Sequence, residues 1–347
     1  MMRWSHSVAV ALSTAAVFSV APGFSLRAGD DRPRVICHKG ECAEAPENTL
    51  PAFQLVIDRG LPAFECDIRV SKDGGLFCYH DNDMSRFGGS PDRTIENSTS
   101  AELEAYDAGA YVGDRWKGTK MPQLKDILAL ARDGLVIQVE LKMDAAGVPL
   151  VKAEFARHPE ATPGRVMFAT GDLDTIAALK REMPDYKVYW IHGTYWAQEE
   201  HVVWPTTWEL FQDLKKADVK PDGVALAGQP IMDYKYWGDF KRAGYEVCIW
   251  TIDDPKEVKR YLDDGVDWVT TNYGKLCSDY VLGERAKEKE EGLLKQSDES
   301  AELRLDSGVW SASRSDWAAA DSRLFTRVET TACPIDSSHI GFLLFLR

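Results

Sequence analysis

Glu65 and Asp67 stand one residue apart in an apolar run over residues 63–67 of a 347-residue chain. On a β-strand such neighbours point the same way, while Phe64, Cys66 and Ile68 point the other. If the apolar set meets covering helices, both carboxylates share the inner face. Unpaired acids buried together are costly, and a cation held by hard oxygens is the usual remedy. Glu140, in the run Val-Glu-Leu-Lys, ends another apolar stretch and offers a third oxygen. Such a set predicts one divalent cation, Ca2+ or Mg2+. The competing reading is a salt-bridge cluster in which Lys39 and Lys142 neutralise the same acids.

His38 and His80, two of seven histidines, each close an apolar run, and Asp81 follows the second where it would orient the ring. Either alone passes for a rim histidine. Beside an acidic cluster and two lysines, the pair reads as an acid and a base flanking an anionic group, with Lys39 and Lys142 as its binding cations. Pro46-Glu47-Asn48-Thr49 precedes the helix face Leu50, Phe53, Val56 and Ile57. Thr49 or Asn48 is expected to cap that helix, which leaves Glu47 free to reach the site.

The elements that must position these residues are legible as an alternation. Strands are expected over 35–38, 63–67, 135–141, 166–170, 188–192, 223–226, 246–251 and 267–271. Between them run helical stripes such as Leu124, Ile127, Leu128 and Ala131. Asp254-Pro255 opens another helix and Gly265 closes it. Eight strands alternating with helices predict a closed (β/α)8 TIM barrel rather than an open doubly wound sheet. In such a barrel, functional side chains sit at the C-terminal ends of the strands. Residues 75–80 follow the turn signal Lys72-Asp73-Gly74 and read as the return arm of a hairpin that carries His80 to the rim.

A net charge of −14 and a pI near 5.0 argue against nucleic acid or anionic lipid as the main partner. Arg3, the uncharged stretch 7–24, and then Arg27 and Asp30 have the layout of a signal peptide over residues 1–28, which predicts export, periplasmic or secreted. A single membrane anchor is the alternative, and no later segment is long and apolar enough to span a bilayer. Seven cysteines without CxxC spacing argue against a structural zinc site, and the odd number leaves at least one thiol unpaired within a chain or shared between chains. The barrel is expected over 33–282, a charged linker or helix over 283–304 and an extension over 305–347 too short for its own core.

HKG, ECAEA, PENT, ECD, SKDGG, YHD and VELK follow one another between residues 38 and 142. In that order they resemble the glycerophosphodiester phosphodiesterase family, whose pattern runs His-Arg-Gly, Pro-Glu-Asn-Thr, Glu-x-Asp, Lys-Asp-Gly, His-Asp and Glu-x-Lys. The resemblance implies a TIM barrel with one divalent metal at Glu65, Asp67 and Glu140, and with His38 and His80 as acid and base. It also implies that Trp250, in IWTID, meets the glycerol end of a small-molecule glycerophosphodiester, which is hydrolysed to glycerol 3-phosphate and an alcohol. Lys39 departs from the usual arginine, and Asn272 stands where an aspartate is common. A lipid-directed phospholipase C- or D-like enzyme and a binding protein without turnover are the rivals; mostly polar loops such as 82–100 count against the first. SGVWSAS and HIGFLL in the tail resemble the end of formylglycine-generating-enzyme-like domains, without that domain's body.

Overall fold

The computed structural model describes residues 31–290 except 198, 200, 201, 230 and 231. Eight strands form the barrel: Val35–Cys37, Ala63–Val70, Val136–Leu141, Val166–Thr170, Lys187–His192, Gly223–Ala227, Glu246–Trp250 and Trp268–Thr271. Neighbours are parallel, and Ile36 of the first strand pairs with both Ala63 of the second and Thr270 of the eighth, which closes the sheet. All eight expected strands are present. The second runs on to Val70 because Ile68, Arg69 and Val70 pair with the antiparallel return strand Leu76–Cys78.

Alternation along the second strand sorts its side chains as its spacing predicts. Phe64 stacks outward on Phe53 of the covering helix Leu50–Asp58, with ring centroids 4.5 Å apart. Each such buried side chain contributes about 1.5–3 kcal/mol. Inside, Met167, Tyr189 and Trp268 belong to an apolar plug. Towards the strand ends the interior turns polar, through the register pairs Ala63–Val136, Glu65–Gln138 and Asp67–Glu140.

Asp254 accepts a hydrogen bond from Lys256 N, Pro255 lies in the first turn of the helix Pro255–Asp263, and Gly265 follows at φ +88°. Helix caps of this kind are worth about 1 kcal/mol. Two expectations fail locally. The Leu124 stripe forms only the helix Leu124–Leu128, because Leu130 N and Ala131 N bond three residues back and tighten the chain into turns. Thr49 occupies the N-cap position without capping, and its hydroxyl donates to Pro46 O at 2.6 Å. Pro51, in the first turn, removes one of the N–H groups that a cap serves.

Between the hairpin and the third barrel strand, Tyr79, Met84, Ile95 and Leu103 build a satellite core under an otherwise polar insertion. The last described helix is Gly274–Glu290. Among the described residues no helix is long and apolar enough to cross a membrane, and the six described cysteines are all free thiols. The expected signal peptide, Cys333, the extension 305–347 and most of the linker lie outside the described residues.

Candidate active site

The carboxylate oxygens of Glu65, Asp67 and Glu140 lie within 4.8 Å of one another. Glu65 and Asp67 are 4% and 1% exposed. Lys39 N donates to Glu65 Oε2 at 2.8 Å. Asn48 clamps Asp67 from two sides: its Nδ2 donates to Oδ2 at 2.7 Å, and its Oδ1 accepts from Asp67 N at 3.1 Å. Lys142 Nζ donates to Glu140 Oε1 at 2.5 Å and forms an ion pair with Asp67 Oδ1 at 3.3 Å.

The salt-bridge reading is therefore partly right, but it does not close. Lys142 is the only lysine whose side chain pairs with this trio among the described residues. Glu65 Oε1 and Asp67 Oδ1 are buried without a hydrogen bond. Burial, then Asp67 and Glu140, push the Glu65 carboxyl well above its usual range. Burial and Asp67 likewise raise Glu140. Burial pushes Asp67 upward too, but Lys142, His80 and Lys39 outweigh it and hold Asp67 low. Three hard-oxygen donors, with Glu65 Oε1 unpartnered and Asp67 Oδ1 held only by the Lys142 ion pair, fit a divalent cation.

Lys39 and Asn48 both adopt the left-handed region, at φ +54° and +57°. Non-glycine residues adopt it at a cost of about 1–2 kcal/mol each. The turn aims Lys39 N at Glu65 and lets Lys39 O accept from Asn48 N at 3.0 Å. The Lys39 ammonium sits 3.2 Å from Glu47 Oε1. Glu47 therefore stands off the acid trio and carries Lys39 on one oxygen and Arg86 on the other, the latter at 3.0 Å.

His38 Nδ1 lies 2.8 Å from Asn272 Oδ1. Asn272 Nδ2 donates to Asp253 Oδ2 at 2.8 Å, so its other terminus is the acceptor and His38 Nδ1 carries the proton. The lone pair is then on Nε2, 4.0 Å from Glu65 Oε2. Burial, then Lys39, lower the His38 pKa and favour this neutral ring. His80 is reached through the hairpin. Tyr79 N donates to Asp67 O at 3.0 Å, Arg69 Nη2 donates to His80 O at 3.0 Å, and His80 Nδ1 lies 3.0 Å from Asp81 Oδ1.

A cavity of about 90 Å³ is lined by His38, Glu65, Gln138, Glu140, Lys142 and Trp250, among others. Trp250 ends the seventh strand, and its indole N–H is buried without a partner. Three residues here escape the sequence reading. Gln138, with its buried Nε2 unpartnered, stands two before Glu140, so strand alternation was enough to find it. Asn48 was visible only as a possible cap. Arg86 lies in an aperiodic loop and gave no signal.

The model of the glycerophosphoryl diester phosphodiesterase family matches residues 38–275. A glycerophosphodiester phosphodiesterase of Caldanaerobacter subterraneus subsp. tengcongensis is 23% identical over 69% of this chain and 93% of its own. An Arabidopsis thaliana glycerophosphodiester phosphodiesterase is 25% identical over 75% of this chain and 76% of its own. Among solved structures, an Oleispira antarctica phosphodiesterase in complex with the product sn-glycerol-3-phosphate superposes with a TM-score of 0.62 at 25% identity, covering 72% of this chain and 97% of that one.

Proposed function

Since the chain belongs to the glycerophosphoryl diester phosphodiesterase family and is of the glycerophosphodiester phosphodiesterase class, we propose that it releases glycerol 3-phosphate and an alcohol by metal-dependent, two-histidine catalysis. The observation that carries the metal is the clustering of three carboxylates in which Glu65 Oε1 is buried without a partner and Asp67 Oδ1 has only the Lys142 ion pair. These three residues would hold Ca2+ or Mg2+, which when bound supplies positive charge to the phosphoryl oxygens. The product complex of the Oleispira relative supports a glycerol phosphate ligand here.

Lys39 and Lys142 add charge at the phosphate, and the free indole N–H of Trp250 is a donor for a glycerol oxygen. His38, neutral with its lone pair on Nε2, takes the proton from the attacking hydroxyl. His80, backed by the Asp81 carboxylate, gives one to the leaving alcohol. With the glycerol 2-hydroxyl as nucleophile, its oxygen bonds to phosphorus while the bond to the head-group oxygen breaks. Water then opens the cyclic phosphate with the two histidines in reversed roles. Head-group release from glycerophosphocholine, with and without a chelator, tests the reading. Full turnover in the chelator removes the metal from it, and no turnover with either cation removes the substrate.

The layout of residues 1–28 supports export as part of the same proposal. N-terminal sequencing of the mature protein, recovered outside the cytoplasm, tests it.

A further inference from the structure

A chain of alternating charges spans the site from Lys39 to His80. Lys39 Nζ meets Glu47 Oε1 at 3.2 Å, and Arg86 Nη1 meets Glu47 Oε2 at 3.0 Å. Arg86 then forks onto Asp81, donating from Nε to Oδ2 at 2.7 Å and from Nη2 to Oδ1 at 2.9 Å. Asp81 Oδ1 lies 3.0 Å from His80 Nδ1. Each carboxylate is shared by two groups, and among the described residues Arg86 is the one that touches both.

We propose that Arg86 is a positioning residue of the reaction, which fixes His80 through Asp81 and governs Lys39 through Glu47. The proposal rests on the roles given to His80 and Lys39 above. The side chain of His80 is 40% exposed, so packing alone does not set its ring. A planar fork on Asp81 removes that carboxylate's rotation, and the imidazole inherits the direction. At the other end, Lys39 must turn from Glu47 towards an arriving phosphate. Because Arg86 keeps the second oxygen of Glu47, that turn leaves no unpaired carboxylate facing an anionic substrate.

Arg86 is itself anchored. It lies in the short 3-10 turn Ser85–Phe87, closed by Gly88 at φ +76°. Met84, two residues before it, is fully buried, and Phe87 just after it packs on Tyr79 at 4.9 Å. The ring of Tyr111 lies 5.8 Å from the guanidinium. The satellite core of the insertion thus ends in one oriented guanidinium.

The test compares Arg86→Gln, Arg86→Lys, Asp81→Asn and the double variant Arg86→Gln/Asp81→Asn on glycerophosphocholine, with Tm and Ca2+ affinity measured alongside. Arg86→Gln is expected to lower kcat about 10- to 100-fold, a share of the effect of losing the acid itself, and to raise KM. Asp81→Asn should lower kcat alone. The double variant should be no worse in kcat than Arg86→Gln, since both act through one ring. Arg86→Lys should rescue KM but not kcat, because an ammonium reaches Glu47 without forking onto Asp81. Ca2+ affinity and Tm should hardly change, since Arg86 touches none of the acid trio. Selective ¹⁵N labelling of histidine gives a readout independent of turnover: the hydrogen-bonded Nδ1–H signal of His80 should be lost in Arg86→Gln. Additive losses in the double variant, unchanged kinetics in Arg86→Gln, or survival of that signal would each overturn the proposal. If instead the native protein does not hydrolyse glycerophosphocholine while the signal behaves as expected, it is the functional reading that fails, and Arg86 still positions the ring.

Discussion

The two halves of the barrel mouth are built on different principles. Glu65, Asp67 and Glu140 stand on adjacent strands whose ladder register fixes them, and the first two are almost wholly buried. His80, Asp81 and Arg86 come from a hairpin end and its insertion, with side chains 40%, 29% and 30% exposed. The sheet sets the first group through backbone hydrogen bonds. The second is set by ion pairs. A barrel can thus fix the acids proposed to hold a metal on its strands while its loops carry the groups proposed to move protons or meet substrate.

Chelation should produce the largest effect and probe the strand half. Activity should vanish with a strong chelator and return with Mg2+ or Ca2+. Glu65→Gln should lose cation affinity, and the Tm of the metal-free protein should hold or rise. The sign follows from the raised Glu65 pKa: the charged form costs the fold above the unfolded-state pKa, and a neutral amide removes that cost. A fall in Tm would mean that the strand half depends on the charge for its shape.

A substrate with hydrogen in place of the glycerol 2-hydroxyl should bind without releasing its head group. Release near the parent rate would exclude the cyclic route while leaving both halves of the site standing. Next in size, His38→Ala and His80→Ala should each reduce turnover on the order of 10²-fold or more. Their double variant should be little worse than either single one. Cation affinity should survive His80→Ala, which separates the loop half from the strand half. Near-normal turnover in either single variant would make that histidine a rim residue.

Asn48→Ala should weaken cation binding about 10- to 100-fold, the usual effect of losing a group that orients a ligand. Calorimetric titration reads this directly, and an unchanged affinity would show that the ladder alone holds Asp67. The smallest effect is expected for Lys39→Arg. KM should hold or improve as a fork replaces a point charge. A total loss with the fold intact would show that the phosphate pocket has been rebuilt around lysine.

All eight strands and the return hairpin were legible, as was the shared inward face of Glu65 and Asp67. The misreadings cluster where the chain leaves periodic structure. Thr49 had the residue type of a cap, but Pro51 took away a donor and Pro46 O took its hydroxyl. Asn48 was read for its helix rather than for Asp67, because its positive φ turns its side chain to a strand that no local pattern links to it.

The sequence by itself determined the barrel, its covering helices and the inward trio, because strand and helix periods are local and side-chain direction follows from them. Only the tertiary structure decided that Asn272 orients His38, that Lys142 pairs with two of the three acids, and that Arg86 joins Glu47 to Asp81. Apart from the Lys142–Glu140 pair, those contacts join residues far apart in the chain or lying in aperiodic loops. Neither residue type nor spacing says where such a side chain points until the barrel has closed and brought its loops to one mouth.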